Sequence, residues 1–189
     1  MFKWLLKQQL LKFEKRYGYD TGYTRELVDT HEFGALKFAL ISPFTGEQFS
    51  LPAAPYFAAK ITAARHADCG SCLKLVITMA REAGVPVTAI DALLTGALAA
   101  LPDDDMVLAE RYARAVLDND PELLEIIDAC ENRWGKAGVA GLSAAVVSGS
   151  LYPTFKRGLG HSNSCEPVLA WLKAEASKNP AHRAEAAFA

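Results

Sequence analysis

Cys69-Gly70-Ser71-Cys72 holds the side chains of this sequence best equipped for chemistry. From there to Gly84 the pattern is helical. Cys69, Cys72, Leu73, Val76, Ala80 and Ala83 share one face, while Lys74, Arg81 and Glu82 point elsewhere. Both sulfurs therefore belong to a helix N-terminus and turn towards a core. The partial positive charge of that terminus favours thiolate and lowers a cysteine pKa. Two intervening residues let the sulfurs close a small ring, and Gly70 and Ser71 keep the turn unobstructed. The expected chemistry is thiol–disulfide exchange, one thiolate attacking and the other resolving.

Two other readings of the pair stand beside it. His66, Cys69 and Cys72, with His161 or Cys165 as a fourth donor, would make a zinc site, although one CxxC without a matching second pair is half of such a signature. Buried, inert cysteines at a helix interface are the third. If the pair is catalytic, it needs a general base, and His66 and Asp68 are the nearest in sequence. Asp68 also suits the N-cap of the helix, and His66 a loop position. Arg65 suits an anionic substrate or a surface ion pair. Cys130 reads as packing, and Asp103 to Asp105 as helix-start acids. His161-Ser162-Asn163-Ser164-Cys165 forms a polar loop that is able to join a site.

Half of the 189 residues are hydrophobic, and they are Ala- and Leu-rich, which favours helix over strand. Length favours one domain. A net charge of −2 gives no basic excess for nucleic acid. Lys7, Gln8 and Gln9 interrupt the apolar start, so no export signal is expected, and no segment has the roughly 18 uninterrupted apolar residues of a spanning helix. The expected location is cytoplasmic, where a close cysteine pair is catalytic or metal-binding sooner than a staple.

The spacing predicts a first helix over 2–17, with Leu5, Leu6, Leu10 and Phe13 on its apolar face and lysines off it. Such a basic amphipathic helix can lie on a membrane surface, but packing on its own domain or on a second subunit is the expected role. A second helix is expected from Thr24 to about Ile41, before Pro43. A third runs from Pro55 to His66, and the cysteine pair opens the fourth. A capping box at Thr88 starts the fifth, Asp103–Asp105 the sixth, and Asp120-Pro121 the next. Gly135 and Gly138 punctuate before a small-residue helix over 139–149. Pro153, Gly158 and Gly160 are expected to break the chain before a last helix from Pro167 to about Lys178, with a frayed tail from Asn179. More apolar surface is on offer than one small core needs, which predicts a homo-oligomer.

The stretch from Ile61 to Leu73, a small-residue helix leading into Cys-Gly-Ser-Cys-Leu, resembles the alkylhydroperoxidase D–like branch of the carboxymuconolactone decarboxylase superfamily. Ala109 to Leu117, then an acidic and a small-residue helix, keep the same order of elements. The resemblance covers about residues 53–150, leaving 1–52 as an N-terminal helical extension and 151–189 as a C-terminal one within a single domain. It implies an all-α bundle, trimers or hexamers, and thiol-dependent peroxidase or disulfide reductase activity on a hydroperoxide or disulfide. It implies no bound cofactor, with electrons supplied by a protein or small-molecule dithiol. By resemblance Cys72 attacks and Cys69 resolves. The family's proton relay, however, is absent. Its glutamate position is Phe57, its histidine position Val76, and a further histidine often found before the second cysteine is Ser71. That loss keeps open an alternative, a non-enzymatic scaffold or binding protein that has retained the fold.

Overall fold

The computed structural model describes residues 2–161 and 168–178, and among them every regular element is helical. In chain order these are α1 (Phe2–Tyr17), α2 (Gly22–Thr30), α3 (Glu32–Ala39), α4 (Ile41–Phe44), α5 (Ala53–His66), α6 (Gly70–Glu82), α7 (Val87–Thr95), α8 (Asp104–Asp118), α9 (Leu123–Gly158) and α10 (Val168–Lys178), with a 3-10 turn at Leu98–Ala100. The all-α class expected from composition is what forms. Among the described residues no helix is long and apolar enough to cross a membrane.

The centre is α5, which packs against α6, α7, α8 and α9. Its alanines make this possible. Ala58, Ala59, Ala63 and Ala64 are fully buried and let neighbouring backbones approach. At Gly149 of α9 the approach is closest: a Cβ there would lie 2.6 Å from the Lys60 carbonyl oxygen and 2.7 Å from the Ala63 Cβ. No side chain fits.

The N-terminal helices cover one side of this bundle. Arg16 and the Tyr17 hydroxyl both reach the Glu82 carboxylate at the end of α6, at 3.0 and 3.1 Å. The turn after α1 is ordered by Glu14, whose carboxylate accepts hydrogen bonds from the Thr21 amide and hydroxyl and from Arg25.

Several boundaries differ from expectation, each for a local reason. The helix expected from Thr24 to Ile41 is broken at His31, whose backbone leaves the helical region and whose Nδ1 accepts from the Gly34 amide, capping α3. Pro43 lies inside the short α4 instead of beyond a helix. Pro86, not Thr88, caps α7. Glu122, not Asp120, precedes α9, and the Asp120 side chain accepts from the Glu122 amide. Asp103 does cap α8, accepting from the Met106 amide at 2.8 Å.

The largest difference is α9. It kinks at Gly135 (φ 68°, ψ 179°) and then runs through residue 150 and through Pro153 to Gly158. The expected break at Pro153 is therefore not formed. Proline deletes one backbone donor, to the carbonyl four residues back, and tertiary packing outweighs that loss here because Pro153 is fully buried. Ser162–Pro167 and the tail from Asn179 lie outside the described residues.

Candidate active site

The turn from α5 into α6 sets the cysteines. Ala67 ends α5, and Asp68 takes a left-handed backbone (φ 50°), which aspartate tolerates better than most residues. Cys69 is then the N-cap of α6, the position sequence suggested for Asp68, and Cys72 lies in the first turn. Arg157, at the end of α9, donates to the Ala67 carbonyl and ties that helix to the turn.

The two sulfurs are free thiols 2.7 Å apart. A hydrogen-bonded chain runs through them. Lys156 Nζ donates to Ser71 Oγ at 3.0 Å, Ser71 Oγ lies 3.6 Å from Cys69 Sγ, and Cys72 Sγ meets the Tyr19 hydroxyl at 3.5 Å. Tyr19 in turn donates to Tyr23 at 3.4 Å. The Lys156 ammonium also stands 5.3 and 5.9 Å from the ring centres of Tyr19 and Tyr23, a distance at which a cation is attracted to the ring face.

Electrostatically the pair is asymmetric. The Cys72 thiol, donating to Cys69, pulls the Cys69 pKa down to about 5, with help from the Ser71 hydroxyl and the Lys156 charge. That same hydrogen bond, together with burial, pushes the Cys72 thiol up. At neutral pH the pair shares one proton, with the negative charge on Cys69. Burial raises the Tyr19 and Tyr23 phenols too, so both keep their protons and act as donors. Lys156 is only 6% exposed. A buried ammonium needs a nearby anion, and the Cys69 thiolate, one serine hydroxyl away, supplies it.

Compared with family models, curated proteins and solved structures, the chain matches none. The site is therefore read from its own geometry.

The sequence candidates divide. Cys69 and Cys72 come together as their spacing requires. His66 does not join them: its Nδ1 faces Asp118 Oδ1 at 3.7 Å, and the ring is half exposed. The hydrogen bonds described at the two sulfurs come from Tyr19, Ser71 and each other, not from His66. Arg65 donates to the Leu93 carbonyl instead of facing a ligand. Cys130 is fully buried in the main core, where burial raises its pKa to about 11. His161 pairs with Glu26 at 2.8 Å, and Cys165 lies outside the described residues. With His66 and His161 both turned to carboxylates, the donors of the zinc reading are not gathered, and no group of three or more metal-ligating side chains occurs among the described residues.

Of the three positions where the resembled family has its relay, Phe57 is core, Val76 lines a cavity, and Ser71 holds Lys156. Sequence reasoning missed Lys156, Tyr19 and Tyr23. Helical periodicity across Pro153 would have placed Lys156 on the same buried face as Gly149 and Pro153, but a proline read as a break conceals that register. For the tyrosines no local signal exists, because only the fold of α1 and α2 over α6 brings them to Cys72.

Proposed function

We propose that this chain is a thiol-dependent oxidoreductase of the alkylhydroperoxidase D–like type, reducing a hydroperoxide with Cys69 and Cys72. The observation that carries the reading is a buried lysine linked through Ser71 to two free thiols held side by side. A structural cysteine pair needs no cation beside it, whereas a reacting one gains thiolate and a proton source.

The reaction balances on these groups. Cys72 forms part of the wall of a cavity and Cys69 does not, so Cys72 meets the substrate. It passes its proton to the adjacent Cys69 sulfur, and Cys69 thereby takes the part of the missing relay base. The Cys72 thiolate attacks the terminal peroxide oxygen, the O–O bond breaks, and the Cys69 proton goes to the departing alkoxide. An alcohol leaves and Cys72 is a sulfenic acid. The Cys69 thiolate then attacks the Cys72 sulfur. Hydroxide departs as water, taking a proton through Ser71 from Lys156, which regains one from solvent. One hydroperoxide and one dithiol give one alcohol, one water and one disulfide. An external dithiol, of a protein or a small molecule, restores the pair.

The non-enzymatic reading keeps one observation in its favour, the burial of both cysteines, Cys69 at 6% and Cys72 at 4% exposure. Mixing the reduced chain with cumene hydroperoxide in the presence of dimedone separates the two. The expected result is one disulfide per chain in the unaltered protein and a dimedone adduct on Cys72 in Cys69→Ser. A Cys72→Ser chain labelled on Cys69, with Cys69→Ser unlabelled, would reverse the order of attack. No oxidation in any of the three would leave the scaffold reading standing.

A further inference from the structure

Between α1, α2 and α3 on one side and α5, α6 and α9 on the other lies a cavity of about 490 Å³, within the range of small-molecule sites, which are mostly apolar with a few placed polar groups. Its walls fit that description. Leu10, Phe13, Phe38, Val76 and Met79 supply apolar surface, and Cys72, Tyr19 and Tyr23 form one polar grouping. A second grouping is built around Lys60.

Lys60 is on the central helix and is only 7% exposed, and among the described residues that line the cavity it alone carries a formal charge. Its ammonium donates to the Thr45 carbonyl at 2.8 Å and to the Tyr56 hydroxyl at 3.4 Å, and lies 5.3 Å from the Tyr56 ring centre. All of these partners are neutral. An ammonium has three donors, and neither neighbour supplies a counter-charge. The Tyr56 hydroxyl itself donates to Thr45, at 2.7 Å, which fixes the carbonyl that holds the lysine. Burial alone brings the Lys60 pKa down to about 8, the signature of a charge kept from water without an anion. Lys156 has the Cys69 thiolate to answer it. Among the described residues Lys60 has nothing comparable.

We propose that this cavity binds a monocarboxylate with an apolar body, its carboxylate on Lys60 and its chain along the walls towards Cys72. Resting on the dithiol reading, it follows that the substrate is an amphipathic acid whose oxidised group lies away from the carboxylate. The binding half of this claim is independent of redox chemistry, so the two fail separately.

Isothermal titration of the full chain with decanoate and with decanol tests it. The unaltered protein is expected to bind decanoate about tenfold or more tighter than decanol, as a charge-assisted hydrogen bond to a buried partner warrants. Lys60→Met should abolish that preference, and the helical circular dichroism of the unaltered chain retained in the variant shows that it is folded. Equal affinity for acid and alcohol in the unaltered protein, or no binding of decanoate, would overturn the assignment whether or not Lys60→Met folds. Decanoate binding with an inert dithiol would uphold the site and remove only its link to the peroxidase reading.

Discussion

The Cys69 thiolate and the Lys156 ammonium depend on each other, and this coupling has consequences that can be measured one residue at a time. Cys69 titrates near 5 in the folded chain against an ordinary value of 9.0. Between those limits the unfolded chain binds the extra proton, so this group makes stability rise with pH across the window and lets it fall as the solution is acidified towards pH 5. Cys72 acts with the opposite sign. Its raised pKa keeps a proton that the unfolded chain loses above 9.0, and stability falls there. The difference in urea midpoint between the reduced chain and a Cys69→Ser/Cys72→Ser double variant should therefore peak near pH 9. A flat difference would mean that the sulfurs do not share a proton. A second expectation concerns Lys156→Met. Removing the charge destabilises the thiolate, and thiolate stabilisation is what makes a disulfide oxidising. The variant's midpoint potential should become more negative and the alkylation pKa of Cys69 should rise. An unchanged potential would remove Lys156 from the account.

At the level of the elements, the sequence was legible where one helix carried its own signals. The buried face of α6 from Cys72 to Ala80 (Ala83, expected on it, is exposed beyond the helix end), the Asp103 cap of α8 and the stop of α1 at Gly18 (φ 62°) form as their residues dictate. It was not legible where packing decided. Pro153 has the local chemistry of a breaker, but its buried place in α9 holds the helix together, and that continuation is what delivers Lys156 to the site. Lys60 was concealed in another way: a lysine within an alanine-rich helix looks solvated until α9 closes over it at Gly149. Two substitutions test the element scale. Gly149→Ala forces a methyl into the α5–α9 contact and should lower stability by about 1–3 kcal/mol, the usual penalty for overpacking. Asp103→Ala removes a cap and should lower it by about 1 kcal/mol. Urea melts read both. A neutral Gly149→Ala would contradict the closeness of that contact.

On the scale of the whole molecule, the N-terminal helices complete the site by supplying Tyr19, Tyr23 and half of the cavity wall. The apolar stripe of α1 is used largely within the chain, since Leu6, Leu10 and Phe13 line the cavity. Other large apolar side chains face outwards. Trp4 is 65% exposed, and Phe33 and Leu124 are each 74% exposed. These are the residues from which we expect association, because exposed apolar surface of this kind marks interaction sites. Sedimentation equilibrium of the unaltered chain should give a homo-oligomer, and Phe33→Ser with Leu124→Ser should shift it towards the 20.4 kDa chain. A monomer at micromolar concentration would contradict the expectation and leave the chemistry untouched. That chemistry is tested most directly by native-state alkylation of the reduced protein, read by mass spectrometry with and without mild oxidant. At least one of Cys69 and Cys72 is expected to be labelled well below the ordinary cysteine pKa of 9.0, oxidant is expected to protect both together, a dithiol to restore labelling, and Cys130→Ser to change none of this. Cysteines that stay unlabelled in the folded chain and unpaired after oxidant would contradict it.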